Sequence, residues 1–248
     1  MVEKTKALDK GSREVVYTGD GGKEVKLSVN IVRQFLAPKA SDHEAAYFIA
    51  YCRSHGLDPF RRDAFLVKYD QKTAAQVVTS HAYFLRRASR NPKYRGFQSG
   101  LCVSNSDTEG VIIDIEGGIL PPGSILLGGW CKVFMHEYHE PVTMKLPLEE
   151  YNKSQATWRS MRNTMIIKCA EAHAHRKACP DELGGLYTED EMRAAQGDGE
   201  KYAAPKPQHA DNEVMDAEFA DLEEELAEEE EENLSTHENE EAEEVDKE

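Results

Sequence analysis

The run SHGLDPFRRDAFLVKYD, residues 54–70, holds a helix stop, a turn, two adjacent arginines and an alternating strand within seventeen positions. Gly56 can adopt the left-handed conformation that ends a helix, and Pro59 fixes the backbone of the turn that follows. Phe65, Val67 and Tyr69 then alternate with Ala64, Leu66 and Lys68, the period of a strand with one covered face. The stretch therefore predicts a mixed fold, with Arg61 and Arg62 at the mouth of a strand hairpin.

Upstream, Val15–Tyr17 and Val25–Leu27 flank Gly19-Asp20-Gly21-Gly22, whose residues accept positive φ, so a small hairpin opens the fold. Ser28 can cap a short helix with Val29, Val32, Phe35 and Leu36 inward, ending ahead of Pro38. Ser41 and Glu44 have the spacing of a capping box. Ala45, Phe48, Ile49 and Cys52 then recur as one buried face of a helix running to about Ser54.

Downstream, Asp70 to Thr73 turn the chain, Val77 and Val78 continue a returning strand, and Thr79 or Ser80 caps a helix through Tyr83, Phe84 and Leu85 that Asn91-Pro92 stops. Leu101–Val103, Val111–Ile115, Gly129–Met135 and Val142–Leu146 read as sheet. The longest helical pattern starts near Thr157. Trp158, Met161, Met165, Cys169 and Ala172 form its core face, and Arg159, Arg162, His173 and Lys177 form a basic flank, with Glu171 pointing elsewhere. Pro180 ends this helix, and Thr188 to Glu191 cap a last short one. The expected fold class is α+β, an antiparallel sheet and hairpins with a long helix packed across it.

The formal net charge of -16 is unevenly placed: residues 205–248 hold 20 acidic groups against 2 lysines, and the remaining 204 residues carry 28 basic and 26 acidic groups. The body is near neutral and can present a basic face. Residues 1–13 are expected to be a flexible N-terminus, 14–197 the core and 198–248 a disordered acidic tail. Within that tail Met215, Phe219, Leu222 and Leu226 sit at helical spacing, enough for a short stretch to fold onto a partner. Five cysteines with no CxxC pair, in a chain lacking a charged-then-apolar leader, suit a reducing cytosol. No apolar run approaches the ~20 residues of a bilayer span.

Signals for catalysis are weak. Gly118 to Ser124 holds two glycines but no phosphate-binding lysine, and its two prolines remove backbone donors. Asp114 and Glu116 share one strand face and could hold a metal as in a nuclease, yet no lysine follows at nuclease spacing. His136 with His139, or His173 and His175 with Cys169 and Cys179, reproduce no paired-cysteine zinc site. What remains is cationic and aromatic: Phe60-Arg61-Arg62, Lys68-Tyr69, Lys72, Arg86-Arg87, Lys93-Tyr94-Arg95, Trp158-Arg159 and Arg162. Cations attract phosphates and flat rings stack unpaired bases, which is how sequence-blind single-strand binding is built.

Several blocks then recur in one order: Gly56-Leu57-Asp58-Pro59-Phe60, Trp158-Arg159-Ser160-Met161, Met165 to Ala172, Arg176 to Pro180, and Leu183-Gly184-Gly185-Leu186-Tyr187-Thr188. From about Leu27 to Met192 the chain resembles the Redβ/RecT superfamily of single-strand annealing proteins, the phage recombination proteins of the Bet type. The resemblance implies ATP-independent binding of single-stranded DNA and annealing of complementary strands in phage homologous recombination, by a template rather than an enzyme. It implies a homo-oligomer, ring or filament, working in the bacterial host cytoplasm. No cofactor is required, magnesium at most assisting annealing. Single-stranded DNA and the annealed duplex are the direct partners; a companion phage exonuclease and the host single-strand binding protein are partners of the C-terminal region. By the same resemblance, DNA lies in a groove between the hairpin region and the long helix, contacted by Arg61, Arg62, Lys68 and Lys72, and by Trp158, Arg159, Arg162, Lys168 and Lys177. Thr164 and Glu171 depart from the family's basic pattern. A metal-dependent nuclease using Asp114 and Glu116, and a passive single-strand coating protein, are the alternatives.

Overall fold

The structure, a computed structural model, describes residues 14–68, 73–105, 111–151 and 156–195. The N-terminal segment, Lys72 and the acidic tail, with the expectations attached to them, lie outside the described residues. The chain divides into two compact units, with the boundary between Val77 and Val78.

The first unit opens with the expected hairpin, β1 (Val15–Thr18) antiparallel to β2 (Glu24–Leu27). Ser28 caps α1 (Val29–Ile31), which widens at once into a π-helical turn over Val32–Leu36, closed by the Ala37 N–H donating to the Val32 carbonyl at 2.7 Å. That wider turn corrects the expected inward face: Val32 is buried, but Phe35 rotates out and is 64% exposed. α2 (Asp42–His55) follows as predicted. The Ser41 hydroxyl accepts from the Glu44 N–H, the Glu44 carboxylate accepts from the Ser41 N–H, and Gly56 closes the helix at φ 63. Ala45, Phe48, Ile49 and Cys52 are all buried. A short 3-10 turn over Pro59–Arg61 leads into β3 (Ala64–Val67), which buries Ala64 and Leu66 and is neighbour to β4 (Gln76–Thr79).

In the second unit Ser80 caps α3 (His81–Arg90), and a four-stranded antiparallel sheet follows in the order β6-β5-β7-β8: β5 is Tyr94–Asn105, β6 Ile113–Glu116, β7 Ser124–Met135 and β8 Val142–Pro147. β5 and β7 are each longer than predicted. The polar residues before Leu101 show no apolar alternation, and they join the sheet through backbone pairing to β7, past an irregularity between Tyr94 and Phe97 where Gly96 takes φ 105. α4 (Leu148–Tyr151), which the sequence did not announce, precedes α5 (Ala156–Ala178). Gly129 gives β7 a place where the α5 backbone comes close: a Cβ there would meet the Ile166 carbonyl oxygen at 2.8 Å.

α5 departs from a single amphipathic helix. Its backbone breaks at Met161 (φ -135, ψ 39), so positions on either side do not share one 100° register. Met161, expected in the core, is 47% exposed. From Cys169 to His175 the helix is buried nearly all round, Glu171 and His175 included. Pro180 ends α5 and also begins another turn, α6 (Pro180–Leu183), before α7 (Glu189–Ala195). All five cysteines are free and buried.

Candidate nucleic-acid interface

Residues 57–63 fold as a clamped turn. Asp58 Oδ1 accepts from the N–H groups of Phe60 (3.0 Å) and Arg61 (3.3 Å), while its carbonyl accepts from Arg61 and Asp63, each at 3.1 Å. The Pro59 carbonyl accepts from the Arg62 N–H at 3.0 Å, and Asp63 Oδ2 accepts from the Asp58 N–H at 3.3 Å. Each of these backbone donors is thereby satisfied within the turn, and the side chains of Phe60, Arg61 and Arg62 face solvent. The β1–β2 hairpin supports the turn: the Tyr17 hydroxyl donates to the Leu57 carbonyl, and the Asp20 N–H to the Gly56 carbonyl at 2.7 Å. Gly21 leaves room for the Arg61 guanidinium, which a Cβ at that position would overlap. Arg62 has φ 62, the one non-glycine residue with positive φ among the described residues. An L side chain there costs about 1–2 kcal/mol, so the fold holds this arginine in a costly conformation.

Lys68 is placed differently. Its Nζ donates to both carboxylate oxygens of Glu44 at 2.8 Å, both side chains being largely enclosed, and Glu44 also accepts from the Ala75 N–H at 2.8 Å. Burial works to raise the Glu44 pKa, but these donors together with Ser41 hold it down at about 2. Lys68 thus joins β3 to the start of α2 with its charge already matched.

In the second unit Arg159, Arg162, Lys168 and Lys177 are exposed and have no acidic partner among the described residues. The break at Met161 separates Arg159 from Arg162, and between Arg162 and Lys177 lie a buried Ile166 and a half-buried His173 that sits 2.9 Å from Glu191. The continuous basic flank expected from periodicity is therefore interrupted: Arg159 and Arg162 lie near the start of α5, Lys168 is exposed midway, and Lys177 lies at the end, about 22 Å from Arg162 at 1.5 Å per residue. Trp158 is 4% exposed, and its indole N–H donates to Asp190 of α7 at 3.1 Å. A buried ring offers no face to a base; its work here is to fasten α7 to α5.

The buried polar residues of α5 are internally satisfied. The Glu171 carboxylate accepts from the Ser99 hydroxyl at 2.6 Å and lies 2.7 Å from His81 Nε2. Burial opposes its ionisation, and the His81 and Ser99 contacts outweigh that, so its pKa is lowered. His175 Nδ1 faces the Glu171 carbonyl at 2.7 Å, which only accepts, so Nδ1 carries the proton and Nε2 is left to accept from the Tyr94 hydroxyl at 3.0 Å. Burial lowers the His175 pKa and keeps the ring neutral.

Against this geometry stands one comparison. The model of the RecT family matches residues 22–205, about three-quarters of the chain and the whole of the span over which the blocks recur.

The chain belongs to the RecT family. RecT proteins are single-strand annealing proteins of phage DNA recombination. Among curated proteins none matches the sequence. The match covers the clamped turn, Lys68, and all of α5, so every RecT-like position named from the sequence falls inside it. Of the two carboxylates that a nuclease would need, Asp114 is paired: both its oxygens are within reach of Lys145 Nζ, at 2.9 and 2.7 Å. No helix among the described residues is long and apolar enough to cross a membrane.

Phe60 stands outside the contact set that the resemblance implies. It is 56% exposed and stands directly before the two arginines. The available signal was Asp58-Pro59, an Asx cap followed by a fixed φ, which predicts that the next side chains leave the fold in set directions.

Proposed function

We propose that this RecT-family protein coats single-stranded DNA and speeds the pairing of complementary strands without nucleotide hydrolysis, in homologous recombination of a phage within its bacterial host. Family membership over residues 22–205 carries the reading. The distribution of charge supports it: Arg61, Arg62, Arg159, Arg162, Lys168 and Lys177 are exposed without an acidic partner among the described residues, whereas Lys68, Lys145 and Arg176 are matched to Glu44, Asp114 and Glu191. Unmatched cations are the ones that can release counterions from phosphates.

The chemistry needed is modest. Duplex stacking contributes about 1.4 kcal/mol per base-pair step, so pairing supplies its own driving force. The protein has to offset repulsion between two polyanions and keep bases open, and no covalent step is proposed. Assembly into a ring or filament would align many such sites along one strand, with the companion exonuclease and the host single-strand binding protein as further partners.

Labelled complementary oligonucleotides mixed with the full chain, in buffer without nucleotide, test the reading. Faster pairing than in buffer alone is expected. Tight binding with unchanged pairing would instead make it a passive coating protein, and strand shortening in magnesium a nuclease.

A further inference from the structure

We propose that Phe60 is the residue that makes the clamped turn selective for unpaired bases, its ring serving as a stacking platform between the phosphate-facing Arg61 and Arg62 and the buried Pro59. This rests on the single-strand reading above and deepens it. A solitary exposed phenylalanine needs no explanation by itself. Here the surroundings supply one. The N–H groups of Phe60, Arg61, Arg62 and Asp63 are all engaged inside the turn, Pro59 and Asp63 are buried beneath it, and Arg62 is held at φ 62. A turn so fully determined fixes three adjacent side chains toward solvent, one flat and apolar, two cationic. That is the pairing of groups by which proteins hold single strands: charge follows the backbone and a ring takes the face of a base. A base in a duplex already has both faces covered by its neighbours, so only an unpaired strand gains from the ring.

The test compares an ordinary single strand with an abasic strand of equal length, which keeps the phosphates and lacks the bases. The wild-type chain, Phe60→Ala, Phe60→Leu and Phe60→Trp are titrated with both. Phe60→Ala and Phe60→Leu should weaken binding to the ordinary strand by roughly 10- to 100-fold, the range for loss of one stacked base. Neither should change binding to the abasic strand, and Phe60→Trp should restore the ordinary affinity. Thermal midpoints of all four should agree, since the side chain is mostly exposed. Equal losses on both strands, or an unchanged preference in Phe60→Ala, would overturn the proposal. A wild-type chain that binds neither strand would overturn the single-strand reading itself.

Discussion

The Nζ of Lys68 lies 2.8 Å from both carboxylate oxygens of Glu44, twenty-four residues earlier in the chain, and the same carboxylate accepts the Ser41 and Ala75 N–H groups at 2.7 and 2.8 Å. One side chain thus caps α2 and ties the ends of the β3–β4 ribbon to it. Lys68→Ala should remove about 1–3 kcal/mol of stability, the worth of charge-assisted hydrogen bonds at a sheltered site. Single-strand affinity should fall far less than in a charge reversal at Arg61 and Arg62. A stable variant with a large binding loss would return Lys68 to the contact set.

Arg62 predicts the opposite combination. At φ 62 glycine carries no Cβ penalty, so Arg62→Gly should leave stability unchanged or raise it by up to about 1 kcal/mol, the relief of strain being partly cancelled by glycine's backbone entropy. Single-strand binding should weaken alike for every sequence. Its salt dependence should flatten by about 0.7, the slope for one phosphate contact. Chemical denaturation and salt-titrated binding measure the two effects separately.

Acid should destabilise the fold in two stages. His175 has a folded pKa below its ordinary 6.5, because burial disfavours the charged ring. Its neutral-state stability is complete above 6.5 and is lost as pH falls below that value, where the unfolded chain takes up the proton first. Glu44, at about 2 against 4.5, contributes stability that is complete above 4.5 and lost as pH falls toward 2, and Glu171 and Glu191, both lowered, begin to lose theirs below 4.5. Denaturation midpoints from pH 8 to 3 should be flat, then decline gently below 6.5 and steeply below 4.5. A midpoint that rises between pH 7 and 5 would contradict the neutral His175.

Residues 205–248, with 20 acidic groups and 2 lysines, are a polyanion joined to a chain whose exposed cations are proposed to meet DNA phosphates. A tethered competitor acts at high effective concentration, and salt screens it. Removing these residues should tighten single-strand binding at low salt, with the gain fading at high salt. Equal affinities of the full and shortened chains at every salt concentration would dispose of the competition.

What the sequence made legible was local. The Ser41–Glu44 capping box, the stop at Gly56, the β1–β2 hairpin and the buried face of α2 each depend on residues a few positions apart. What it concealed depends on distant partners. Lys68 looks like a free cation until Glu44 is found beside it, and Trp158 looks like a stacking ring until Asp190 takes its N–H. The break at Met161 carries neither proline nor glycine to signal it, so periodicity ran straight through and joined Arg159 and Arg162 in one register, and it joined them to Lys177 across a His173 that Glu191 already holds. Phe35 misled for the same kind of reason, since a π-helical turn shifts the register without a residue type that marks it.

Strand pairing itself is the most direct measurement. The rate at which two complementary labelled oligonucleotides anneal, without nucleotide and at a low and a high salt concentration, should rise well above the protein-free rate with the wild-type chain. With Arg61→Glu and Arg62→Glu combined, the acceleration should be lost at both. Annealing no faster than in plain buffer, or acceleration unchanged by the charge reversal, would contradict the account.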